Sequence, residues 1–115
     1  MTDPCLFCRI VRGEIPASIV YQDADVLAFR DINPQAPTHL LIIPTRHVPD
    51  MLHLGAEESA LLGRIFSLAA QLARDEGIAG EGFRFVANTG PAAGQTVPHL
   101  HFHLLGGRPL AWPPG

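Results

Sequence analysis

Three histidines, His99, His101 and His103, alternate with Leu100, Phe102 and Leu104 in the stretch Pro98–Leu105. In a β-strand successive side chains point to opposite faces, so the three imidazoles would share one face at a spacing of about 7 Å. The apolar residues between them would pack on a core. A single buried histidine is ordinarily a hydrogen-bonded core residue, but each ring in this row has two nitrogens to satisfy. Such a row suits a metal, a phosphate, or a nucleophilic histidine with helpers. A second candidate is Cys5-Leu-Phe-Cys8, the only two cysteines of the chain. This spacing fits a redox pair, half of a zinc site needing two more ligands, or two small apolar residues on a short helix. A thioredoxin-like pair would sit after a strand in a βαβ unit, and no strand precedes this one.

The elements that must position these residues follow from periodicity and punctuation. Asp3-Pro4 reads as a cap and first turn for a short helix over Cys5–Arg12, ended by Gly13. Ala17–Gln22 and Val26–Asp31 read as a hairpin around Asp23-Ala24-Asp25. Asn33–Pro37 is a rigid loop. His39–Ile43 is a near-continuous apolar strand, expected in mid-sheet and stopped by Pro44. Leu61, Ile65, Leu68 and Leu72 form one stripe of a long helix over Glu57–Glu76. Glu57 and Glu58 stand at its positive end, and Gly77 and Gly80 follow it. Phe83–Asn88 is a further strand, Thr89–Thr96 a small-residue loop, and 106–115 a Pro/Gly-rich tail carrying the only tryptophan, Trp112. The pattern predicts a single α+β domain over 1–115 with a mainly antiparallel sheet, one long helix on one face and a short N-terminal helix.

Composition narrows the function. The chain has 115 residues, 47% hydrophobic and 17% charged, which argues for a globular core and against disorder. No apolar run reaches membrane-spanning length, and the first residues lack a signal-peptide core, so a cytoplasmic protein without membrane attachment is expected. Net charge is -3 with scattered basic residues, which disfavours nucleic acid as a partner. All eight basic residues are arginine, so a P-loop lysine or a lysine Schiff base is excluded. A bound phosphate would be held by arginine, histidine, hydroxyls and backbone N–H groups.

The order of these pieces resembles the histidine triad (HIT) superfamily of nucleotide hydrolases and transferases. His99-Leu100-His101-Phe102-His103-Leu104-Leu105 resembles its signature. Phe29 to His39 resembles its nucleoside-binding segment, and Asn88 with Gly94-Gln95-Thr96 its phosphate loop. The ending Gly106-Gly107-Arg108 through Trp112-Pro113-Pro114-Gly115 resembles the Hint branch, the histidine triad nucleotide-binding proteins. The resemblance implies a homodimer with one continuous sheet. It also implies a purine nucleoside phosphoramidase acting on AMP, GMP or their phosphoramidates. His101 would be the nucleophile, with a nucleotidyl-histidine intermediate. His103 would bind phosphate oxygens, His39 orient the triad, and Thr96 donate to the phosphate or leaving group. Asn88 and the Gln95 backbone would add phosphate contacts, and Asp31 would accept from the ribose hydroxyls. Phe7, Ile10, Ile15, Phe29 and Ile32 would line the base pocket, and Trp112 would reach toward the partner subunit's site. Cys5, Cys8, His47 and His99 resemble the zinc ligands of many bacterial relatives, a closed Cys₂His₂ set of structural type. The chemistry itself would need no metal. The rival readings are a nucleotide-binding regulator with little catalysis, a dinucleoside polyphosphate hydrolase or nucleotidyl transferase of the same superfamily, and a plain zinc module. The intact triad with Thr96 speaks against the regulator. The zinc module leaves His39, His101 and His103 unexplained.

Overall fold

A computed structural model describes residues 3–115. Helix α1 (Leu6–Val11) is followed by strands β1 (Ile19–Gln22), β2 (Val26–Arg30) and β3 (Thr38–Pro44), helix α2 (Ser59–Asp75), and strands β4 (Phe83–Ala87) and β5 (Phe102–Gly106). The five strands form one antiparallel sheet in the order β1-β2-β3-β5-β4. The expected α+β class is therefore observed. No helix among the described residues is long and apolar enough to cross a membrane.

Both faces of the sheet are covered, which is why β3 is buried along all seven residues. One face carries Val26, Ala28, Leu40, Ile42, Leu100, Phe102 and Leu104, packed on Ile65, Ala69, Leu72 and Ala73 of α2. The expected leucine stripe is thus widened by two alanines, which let the helix approach closely. The other face carries Leu27, Phe29, Leu41 and Ile43 under Phe7, Cys8 and Ile10 of α1. Arg30 grips Glu76 with two bonds of 2.8 and 2.9 Å, and Arg64 pairs with Asp23 and Asp25. These exposed clamps hold α2 across the β1–β2 hairpin.

Several expected boundaries move, each for a local reason. Cys5, not Asp3, caps α1: its Sγ lies 3.4 Å from the Cys8 N–H, while Asp3 accepts the Cys5 N–H at 2.8 Å. Pro44 is the last residue of β3, opposite Val26, rather than its stop. Helix α2 begins at Ser59 after a 3-10 turn at Ala56–Glu58. Glu58 is buried there, its carboxylate accepting the Gly55 N–H at 2.8 Å, instead of standing free at the positive end. The histidine row is only partly a strand, because β5 starts at Phe102. The Pro44 carbonyl that could continue the ladder accepts from the His99 ring at 2.9 Å, and the Leu100 N–H bonds to Val48 at 2.6 Å. The alternation of faces nevertheless persists through this stretch. The loop 89–96 holds a 3-10 turn at Pro91–Ala93, flanked by Gly90 and Gly94 at φ 87° and 90°, a backbone region that favours glycine.

Candidate active site and metal cluster

On the face of the sheet away from α2 lies a cleft of about 340 Å³. Its apolar half is formed by Phe7 and Ile10 of α1, Ile15 from the following loop, and Phe29 of β2. Its polar end brings together Asp31, Thr96, His101 and His103. Ile32 stands fully exposed at the rim. Phe7 sits where the two halves meet, edge-on to Phe29, His99 and His101 at centroid distances of 5.5, 5.8 and 5.1 Å.

Backbone partners dictate the proton position on each catalytic candidate. The Nδ1 of His101 lies 2.7 Å from the His99 carbonyl oxygen. A carbonyl can only accept, so Nδ1 carries the proton and Nε2 of the neutral ring keeps its lone pair. His103 is set the opposite way. The Gln35 N–H donates to His39 Nδ1 at 3.0 Å, which puts the proton of neutral His39 on Nε2. That Nε2 lies 2.9 Å from His103 Nδ1 and 3.4 Å from Asp31 Oδ2; donated to the nearer nitrogen, its proton makes Nδ1 an acceptor and leaves the His103 proton on Nε2. One ring offers a lone pair and its neighbour, 5.0 Å away between centroids, offers a donor. The pairing follows from register: His103 opposes Leu41, two residues along β3 from His39, so the two histidines are diagonal neighbours on one face. Burial, together with His101 and His39, pushes the His103 ring down to about 4, and burial also holds His39 below its ordinary value.

Beside the cleft, one ligand atom from each of Cys5, Cys8, His47 and His99 converges within 4.8 Å of the others. His99 Nδ1 lies 3.3 Å from Cys5 Sγ and 3.6 Å from Cys8 Sγ, and His47 Nδ1 lies 3.4 Å from Cys8 Sγ. A tetrahedron with zinc–nitrogen bonds of ~2.0 Å and zinc–sulfur bonds of ~2.3 Å has nitrogen–sulfur edges of roughly 3.5 Å, so the group fits such an ion. The tautomer fits too: His99 Nε2 donates to the Pro44 carbonyl, leaving Nδ1 a lone pair toward the sulfurs. Burial and the neighbouring Cys5 push the Cys8 thiol up to about 11, the reverse of a reactive redox thiol.

Other sequence candidates lie apart from the cleft. His39 stands behind His103 and Asp31 and touches the site through them. Gln95 braces its own loop: its Oε1 accepts the Gly90 N–H, and its Nε2 donates to the Pro49 and Val97 carbonyls. The Gln95 backbone N–H, expected to meet a phosphate, bonds instead to the Gly90 carbonyl at 3.1 Å. Asn88 follows β4 outside the cleft lining, and Trp112 is 83% exposed on the tail. What sequence reasoning missed are backbone groups, the Pro44 carbonyl and the Gln35 N–H. No side-chain signal marks them.

The HIT domain family matches residues 12–110 of this chain. The chain belongs to the HIT domain family. It is 53% identical to the purine nucleoside phosphoramidase of Escherichia coli over 110 residues, which cover 96% of this chain and 92% of that one. It is 51% identical to a 14 kDa zinc-binding protein of Zea mays over 116 residues, covering 97% and 88%. The crystal structure of a HIT family hydrolase from Legionella pneumophila superposes with a TM-score of 0.95 at 52% identity, covering 96% of this chain and 99% of that one. The HIT fold and the histidine signature thus coincide in one chain.

The depressed His103 value has a sign that can be checked in this HIT domain. An unfolded histidine takes up a proton near pH 6.5, whereas folded His103 resists until about pH 4. Its contribution to stability is therefore present above pH 6.5 and lost as the pH falls toward 4. Urea midpoints measured from pH 7 to 4 are expected to fall, and the His103→Gln variant to lose part of that slope.

Proposed function

We propose that this protein is a purine nucleoside phosphoramidase that cleaves P–N bonds of the adenosine 5′-phosphoramidate type through a nucleotidyl intermediate on His101. The observation that carries this reading is the 2.7 Å bond from His101 Nδ1 to the His99 carbonyl, which leaves Nε2 as a nucleophile in the cleft. Nε2 attacks the α-phosphorus, the P–N bond breaks, and the amine leaves with a proton from solvent while the Thr96 hydroxyl hydrogen-bonds the departing nitrogen. Water then attacks the same phosphorus, its proton passing to solvent, and frees His101 and AMP. A histidine suits this task because its ordinary pKa of about 6.5 leaves a neutral fraction near pH 7. The Nε2–H of His103 faces the phosphate oxygens and stabilises the charge that builds there. Asp31 accepts from the ribose hydroxyls, and the apolar half of the cleft receives the base. Such a pocket discriminates weakly between adenine and guanine.

Zinc belongs to the same proposal, as a structural ion. Cys5, Cys8, His47 and His99 would hold it, and it would supply a fixed cross-link between α1 and the segment carrying His101. The ligand geometry and the zinc-binding relative support it. A homodimer is supported by β4, which lies at an unpaired sheet edge, and by exposed Phe66 and Phe83 on α2 and β4. Such a catalyst would work in the reducing cytoplasm, where the two thiols persist.

Two experiments test this. Intact-protein mass spectrometry during turnover of adenosine 5′-phosphoramidate should detect an adenylate-sized gain on the wild type. The His101→Asn variant should lack that gain and turn over at least about a thousandfold more slowly. A variant that retains both adduct and rate removes His101 from the chemistry. Tight AMP binding by the wild type without turnover points to a regulator instead. Native mass spectrometry should give two chains with one zinc each. The Cys5→Ser variant should lose the metal, and unchanged stoichiometry there removes Cys5 from the site.

A further inference from the structure

Asp31 stands at a junction between the nucleoside end of the cleft and the histidines. Its Oδ1 accepts the Asn33 N–H at 2.8 Å, and its Oδ2 lies 3.4 Å from His39 Nε2. That same Nε2 lies 2.9 Å from His103 Nδ1. The Gln35 N–H occupies the other nitrogen of His39, so neutral His39 has one proton to give, bonded to His103 Nδ1 with the Asp31 carboxylate close by as a competitor. At equal distance a carboxylate draws a shared proton more strongly than a neutral ring nitrogen, and here the nitrogen is nearer. The nearer nitrogen holds the hydrogen bond and the carboxylate competes for the proton, so whatever else donates to Asp31 weakens the competitor. Asp31 lines the cleft with its side chain 18% exposed, so a ligand can reach it.

We propose that the vicinal ribose hydroxyls of the nucleotide act through Asp31 on the rate as well as on binding. By donating to the carboxylate they weaken its pull on the His39 Nε2–H, strengthen the bond to His103 Nδ1, and so hold His103 in the tautomer that presents Nε2–H to the phosphate. This rests on the nucleoside phosphoramidate reading given above and names its substrate class as ribonucleotides over 2′,3′-dideoxynucleotides. His39 is the positioning residue of the relay: it touches no substrate, yet it carries the state of the ribose site to the phosphate site. The pairing is built into the sheet, because the Asp31 N–H bonds to the His39 carbonyl at 3.0 Å and holds the two residues side by side. No covalent step is added. One hydrogen bond is strengthened.

The test compares kcat and KM for adenosine 5′-phosphoramidate and its 2′,3′-dideoxy analogue. In the wild type the dideoxy substrate is expected to lower kcat about tenfold, the worth of one hydrogen bond made in the transition state, and also to raise KM. In the His39→Gln variant the kcat ratio should collapse toward one while the KM ratio persists, because Asp31 still holds the ribose. A dideoxy effect confined to KM in the wild type overturns the proposal. So does a kcat ratio equally large in the variant, which would mean that the ribose merely anchors the phosphorus. A second readout needs neither turnover nor the variant. Nitrogen-15 ring resonances of wild-type His103 should move toward the pure Nε2–H tautomer with AMP and stay near their ligand-free positions with bound 2′,3′-dideoxy-AMP. Identical shifts with both ligands overturn the relay. If the wild type turns over neither substrate, the phosphoramidase reading fails by itself, and the ring resonances still decide the coupling. No ring response to AMP at all overturns the relay alone, and turnover by the wild type still decides the phosphoramidase reading.

Discussion

The hydrogen bond from His101 Nδ1 to the His99 carbonyl is the constraint on which the site depends. It assigns the lone pair of the proposed nucleophile, and its acceptor belongs to the most restrained residue nearby. His99 is fully buried, its Nε2 donates to Pro44, its Nδ1 faces two sulfurs, and its own N–H bonds to the Val97 carbonyl. Phe7 packs edge-on to both His99 and His101. A carbonyl fixed this firmly leaves the neutral His101 ring no partner for the opposite tautomer, which would turn a lone pair toward the oxygen. The Cys/His cluster and the polar end of the cleft are thus two sides of one residue: its side chain faces the sulfurs and its backbone holds the proposed nucleophile.

The sheet makes this arrangement affordable. An antiparallel strand flanked on both sides satisfies its backbone and sends alternate side chains to separate cores. Leu40 and Ile42 of β3 supply the α2 face, and Leu41 and Ile43 supply the α1 face with His39 on the same side. His103 reaches His39 only because β5 lies between β3 and β4 in a register that opposes His103 to Leu41. A shift of one residue would send the histidines into the α2 core. The apolar alternation Leu100, Phe102, Leu104 guards that register, since these side chains fill the face under α2.

Much of this was legible in the sequence because it rests on period and residue type. Alternation in 99–104 assigned the histidines to one face, and the spacing of Leu61, Ile65, Leu68 and Leu72 gave α2. The order of motifs carried the family resemblance, and with it the cluster of Cys5, Cys8, His47 and His99. Three features were not legible. The start of β5 depends on Pro44, whose carbonyl is diverted to the His99 ring, a contact 55 residues away in sequence. The use of Gln95 as a loop brace depends on Pro49 and Val97 carbonyls that only the fold brings near. The tautomers depend on Gln35 N–H and His99 C=O groups, and every residue has such groups, so nothing in the side-chain code distinguishes these two.

The account stands on two neighbouring rings carrying their protons on opposite nitrogens, His101 on Nδ1 and His103 on Nε2. Neutron diffraction from a deuterium-exchanged crystal of the ligand-free protein locates those protons directly. Deuterium on Nδ1 of His101 with none on its Nε2, and more on Nε2 than on Nδ1 of His103, is the predicted result. Deuterium on Nε2 of His101 would leave the cleft without a nucleophile and contradict the account at its centre.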